Sequence, residues 1–157
     1  MKESTIYQML KENNITPNKD TIITFSDSYW NDCVDTGRST GGNISIMQGG
    51  PVDHSSHLPV LVAMSSGEAE YISAAAAACM RASHLRMSAI CMANCNKDTA
   101  GNRHVARRFH YVRQGTALKE HKFEWIGTKF QLADILTKVG NKSSFQYLWS
   151  LILHDDE

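Results

Sequence analysis

Three carboxylates stand where chemistry could use them. Asp27 follows the β-branched and aromatic run Thr21-Ile-Ile-Thr-Phe25, Glu70 lies in the first turn of a capped helix, and Asp134 sits inside a late helical segment. Acids at the ends of separate elements can converge on one sheet rim. A two-metal phosphodiester site needs about three or four of them to do so, because Mg2+ takes an octahedral shell of oxygen ligands. Asp27, Glu70 and Asp134 are therefore candidate catalytic residues and candidate ligands for magnesium, with manganese as its substitute. The same residues have a plainer reading. Glu68 and Glu70 complement a helix N-terminus electrostatically, and Asp134 caps a turn or pairs with a cation.

The formal charges cancel, 16 basic against 16 acidic, but they are not mixed. Residues 1–80 carry 4 basic and 9 acidic side chains, residues 81–142 carry 12 and 4, and residues 143–157 carry none and 3. An acidic first half suits cations and a basic middle segment suits phosphates, the division a metal-dependent nucleic-acid enzyme needs. Charges that merely sit on solvated faces give the same count. Arg103 to Arg113 reads as an amphipathic helix, with Val105, Phe109 and Val112 on one face and Arg103, Arg107 and His110 on another. Arg103, Arg107, Arg108, His110 and Arg113, with Lys97, are candidate contacts to nucleic-acid phosphates. Trp30 and Trp125 read as core or rim aromatics rather than stacking platforms, and Arg38 as a residue that fixes a turn.

The elements that must position these side chains read in the order β-β-β-α-α-β-α-α, an α/β or α+β layered domain around a mixed sheet. The first strand is Thr21 to Phe25. Gly41-Gly42 and Gly49-Gly50 bracket the alternating Asn43 to Met47, and Leu58 to Met64 is a third apolar run after a turn region at Pro51 to His57. Ser65-Ser66-Gly67-Glu68 is a capping-box pattern opening a helix with neither Pro nor Gly from Glu68 to Asn94, long enough for about seven turns. Lys122 to Ile126 alternates as a strand, Thr128 to Lys138 reads as a helix, and Ser143 to Leu153 as a last amphipathic one. The boundaries follow: a helical extension over 1–20, the main domain over 21–140, and a C-terminal helix with an acidic tail over 141–157.

A chain of 157 residues suffices for one domain with a real core. With 42% apolar and 20% charged residues, disordered and fibrous classes fit poorly. No apolar stretch approaches the ~18 residues of a membrane span. Lys2, Glu3, Lys11 and Glu12 interrupt the first fourteen residues in a way a signal peptide does not tolerate. Cys33, Cys79, Cys91 and Cys95 form no CxxC pair and read as buried or incidental thiols. The expectation is an intracellular, reducing compartment, cytoplasm or nucleus, with no membrane partner.

Five stretches occur in order: Ser26-Asp27-Ser28-Tyr29-Trp30, Asp35-Thr36-Gly37-Arg38-Ser39-Thr40-Gly41-Gly42, Ser65-Ser66-Gly67-Glu68-Ala69-Glu70-Tyr71-Ile72, Arg103-His104-Val105-Ala106-Arg107-Arg108-Phe109-His110-Tyr111-Val112-Arg113, and Gln131-Leu132-Ala133-Asp134-Ile135-Leu136-Thr137-Lys138. Together, over roughly residues 21–140, they resemble the ribonuclease H domain of a copia-type retrotransposon polyprotein. The resemblance implies a ribonuclease H-like fold, three antiparallel strands then helices and parallel strands. It also implies magnesium-dependent hydrolysis of the RNA strand of RNA–DNA hybrids, with Asp27, Glu70 and Asp134 as catalytic carboxylates and Glu68 as a surface neighbour.

The chain departs from that pattern in one place. The family carries a further strand ending in Asp before the basic helix, whereas here Leu85 stands at that position and no acid occurs between Glu70 and Asp98. The fourth strand reads as missing. Lys122 to Ile126 is then expected beside Thr21 to Phe25, or a second copy of the chain at the exposed edge. An incomplete carboxylate set predicts an impaired nuclease. The alternatives are a working nuclease in which Asp98 supplies the ligand, and an inactive remnant that binds nucleic acid or serves as an assembly subunit.

Overall fold

The computed structural model describes residues 5–16, 21–77, 83–85, 106–120 and 122–153, with the backbone alone at 83–85 and 106–111. The elements are α1 (Thr5–Glu12), β1 (Ile23–Tyr29), β2 (Thr40–Met47), β3 (Gly50–His57), α2 (Ser66–Ala77), β4 (Ser83–Leu85), α3 (Ala106–Ala117), β5 (Phe123–Trp125), a 3-10 turn (Thr128–Phe130), α4 (Asp134–Thr137) and α5 (Lys142–Ile152). Five strands form one sheet in the order β3-β2-β1-β4-β5. The first three are antiparallel, β4 runs parallel to β1, and β5 parallel to β4.

The β-branched run of β1 pairs along its whole length with β2, and Asp27 lies opposite Gly42. Strands β2 and β3 are joined by a tight turn at Gln48 and Gly49, whose φ values of 52° and 83° have the positive sign that matches the twist of a hairpin. Side chains alternate between the two faces of a strand. Ile23, Phe25, Ile44 and Ile46 therefore share one face, packed in a single core with Ile6, Met9 and Leu10 of α1, Leu132 and Ala133, and Leu148, Leu151 and Ile152 of α5. The other face presents Thr24, Ser26, Asn43 and Ser45, all buried, to α2. A second core, including Tyr71, Ile72, Ala74 and Val112, lies between α2 and α3. No helix among the described residues is long and apolar enough to cross a membrane.

Several expectations are corrected. The fourth strand is present: Ser83 and His84 pair with Thr24 and Phe25 on one side, and Ser83 to Leu85 pair with Phe123 to Trp125 on the other. Three residues are too few to show a period, and the Ala-rich composition before them favours helix until parallel pairing overrides it. The gap through which β5 or a second copy was expected to reach β1 is thus filled. Helix α2, described to Ala77, does not run to Asn94, because β4 begins at Ser83. The third antiparallel strand is Gly50–His57, read from sequence as a turn, and Leu58 to Met64 is not a strand. An edge strand with Pro51, Asp53 and His54 lacks the apolar alternation of a half-buried one, as edge strands commonly do. The apolar run after it leaves Val60 and Met64 more than 70% exposed. Thr128 to Lys138 is a 3-10 turn and one helical turn, with Asp134 first in the latter.

Candidate active site

Asp27 occupies the fifth position of β1, on the apolar face, and is fully buried. A carboxylate there needs partners, and α4 supplies them by lying directly on the sheet. Its approach depends on Gly42: a Cβ there would fall 2.6 Å from Cγ2 of Thr137 and 2.9 Å from Cβ of Leu136. Gln131 and Ser56 anchor the segment, donating to the Ser26 carbonyl at 3.0 Å and the Leu136 carbonyl at 2.8 Å. So placed, Thr137 Oγ1 donates a hydrogen bond to Asp27 Oδ2, and the Lys138 ammonium sits 2.9 Å from the same oxygen.

Asp134 joins this group through the same lysine. Asp134 and Lys138 stand four positions apart, the helical spacing that brings side chains together, and Lys138 Nζ lies 3.0 Å from Asp134 Oδ1. Burial pushes the Asp134 carboxyl up to about 6, the negative charge of Asp27 adds to the rise, and the hydrogen bond and charge of Lys138 oppose it. Asp27 and Asp134 are thus brought together around one ammonium.

Glu70 is not part of that group. It is buried on α2, one turn before Ser73, whose hydroxyl donates to the Asp27 carbonyl at 2.9 Å and accepts from Ser26 Oγ at 3.1 Å. Gly41 faces Ser73, while the next residue, Gly42, faces Thr137, so α2 and α4 cover opposite faces of the sheet. Glu68, expected at the surface, is buried. Its backbone N–H donates to Ser65 Oγ at 3.2 Å and its Oε2 accepts from the Met64 N–H at 2.6 Å, a capping box whose reciprocal bond reaches one residue further back than usual.

Two ions would need a larger donor set than this. Among the described residues no three His, Cys, Asp or Glu side chains group as metal ligands. The two carboxylates that do meet already share an ammonium, and the strand beside β1 ends in Leu85. The described residues do not fit a two-magnesium centre.

A cavity of about 500 Å3 opens beside the pair. Asp134 and Lys138 form part of its wall, with Lys129, Ser144, Phe145 and Tyr147. Lys129 Nζ lies 5.5 Å from the centre of the Tyr147 ring and 5.6 Å from that of Phe130. Of the candidate phosphate contacts, Arg103 and Lys97 lie outside the described residues, as do Asp98, Cys79, Cys91 and Cys95 and the side chains of Arg107, Arg108 and His110. Arg113 is half-buried on α3, and its charge opposes the rise that burial imposes on the Tyr71 hydroxyl. Trp30 and Trp125 are rim aromatics, about half exposed.

No family model and no curated protein matches the sequence. Among solved structures, the N-terminal RNase H domain of rv2228c from Mycobacterium tuberculosis, studied as a fusion with maltose-binding protein, superposes with a TM-score of 0.55 at 10% identity, covering 82% of this chain and 96% of that one. This chain has a ribonuclease H-like fold. At that identity the likeness speaks for the fold alone, and the chemistry must be argued from the side chains. In this ribonuclease H-like setting Gly42, Ser73, Thr137 and Lys138 are residues that sequence reasoning did not assign to the site. Only Lys138 had a usable signal, its four-residue spacing from Asp134.

Proposed function

We propose that this is a copia-type retrotransposon-derived ribonuclease H-like domain that engages nucleic acid, RNA–DNA hybrid above all, with hydrolysis of the RNA strand impaired. The observation that carries this reading is the arrangement at β1 and α4: Asp27 and Asp134 meet, Glu70 does not group with them as a metal ligand, and one ammonium is bonded to both acids. When bound in an intact site of this type, magnesium supplies an activated water and stabilises the leaving oxygen. Here two acids cannot furnish the ligands of two such ions.

Engagement of nucleic acid is supported by the basic segment and by the cavity beside Asp134, where Lys129 suits a phosphate and Phe145 and Tyr147 suit a base. The test is a labelled RNA–DNA hybrid. Binding is expected to weaken steeply with salt, and cleavage in magnesium to stay at background and be unchanged by Asp27→Asn. Magnesium-dependent cleavage abolished by Asp27→Asn would establish a working nuclease instead. Binding that is absent at low salt would favour an assembly subunit.

A further inference from the structure

We propose that Lys138 is a built-in cation that takes the place of a divalent ion at Asp27 and Asp134, so that the pair is held together and half-neutralised without metal. The inference rests on the reading of this site as a ribonuclease H-type carboxylate cluster. Two observations carry it. The ammonium lies at hydrogen-bond distance from one oxygen of each carboxylate, 2.9 and 3.0 Å, and is itself largely covered, its side chain 24% exposed. It is also tethered by the backbone: Lys138 closes α4, donating its N–H to the Asp134 carbonyl at 3.0 Å.

Charge counting points the same way. Four carboxylates at one rim repel one another strongly and call for two dications. Among the described residues, two carboxylates and one ammonium leave a net charge of −1, small enough for a partly buried cluster that also receives the Thr137 hydroxyl. A divalent ion entering between the acids must expel the ammonium and break both its contacts.

The test is Mn2+ binding to the full chain, followed by calorimetry and by thermal melting, with no nucleic acid present. The wild type is expected to bind no Mn2+ at this pair in the millimolar range, and its melting temperature is expected to move with neither Mn2+ nor a chelator. Lys138→Met is expected to melt lower, to gain a site at least about tenfold tighter, and to lose it again when combined with Asp27→Asn. Lys138→Arg, which keeps the charge, is expected to behave as the wild type. Wild-type binding within twofold of Lys138→Met, lost on Asp27→Asn, overturns the inference, and the wild-type measurement alone does so even if Lys138→Met does not fold. Failure of the underlying reading registers separately, in the hybrid assay.

Discussion

The two faces of the sheet around Asp27 are both buried and are built on opposite terms. Beneath α2 the strands present a mesh of hydroxyls, Thr24 to Ser45 at 3.0 Å and Ser26 to Ser73 at 3.1 Å, with Ser73 reaching the Asp27 carbonyl and the buried Glu70 one turn before it on the helix. Beneath α4 the face is apolar until it reaches Asp27, Asp134 and Lys138. Neutral hydroxyls can be satisfied by one another at modest net gain, whereas buried charges are tolerated only as a complete set. The hydroxyl mesh should therefore tolerate a single loss, whereas the Asp27, Asp134 and Lys138 set should not.

That contrast can be broken most severely at Lys138. Removing one partner of a buried ion pair leaves the others uncompensated, so Lys138→Met is expected to lose about 3–5 kcal/mol of unfolding free energy. Ser73→Ala, on the other face, is expected to lose about 1 kcal/mol. Urea denaturation of the two variants checks the difference, and equal losses would erase the distinction between the faces.

The glycine pair sharpens it at the backbone. Gly42→Ala must push α4 off the sheet, at about 1–3 kcal/mol, and should loosen the grip of Thr137 and Lys138 on Asp27. Gly41→Ala meets only the tips of His57 and Ser73, at 3.1 Å, and is expected to cost about 1 kcal/mol or less. Denaturation midpoints decide, and a more damaging Gly41→Ala would contradict this packing.

The smallest effect is in pH. With its carboxyl lifted from 3.8 to about 6, Asp134 binds more protons folded than unfolded between those values. Stability accordingly rises as pH falls through 6, and the gain is complete below 3.8. Between about pH 7 and pH 5 the wild type should gain about 1 kcal/mol that Asp134→Asn does not, read from urea midpoints across that range. Parallel pH curves for the two proteins would remove the buried charge from the account.

What the sequence disclosed follows from which forces act locally. The β-branched residues before Asp27 and the Ser65–Glu68 cap act within a few residues, and β1 and the start of α2 are where they point. Strand β3 was hidden because an edge needs no apolar alternation, and β4 because parallel pairing over three residues leaves no local trace. Gly41 and Gly42 resemble turn residues, yet they are strand positions where α2 and α4 come close, a constraint visible only once both layers are in place. Likewise Asp134 marked the site, but that its charge is answered from Lys138 rather than by Glu70 depends on which face each helix covers.

A crystal structure grown with millimolar Mn2+, with anomalous scattering recorded for manganese, tests the central claim most directly. The account predicts Lys138 Nζ within about 3 Å of both Asp27 and Asp134 and no manganese peak between them. A peak bridging the two carboxylates, with Lys138 turned out to solvent, would contradict it.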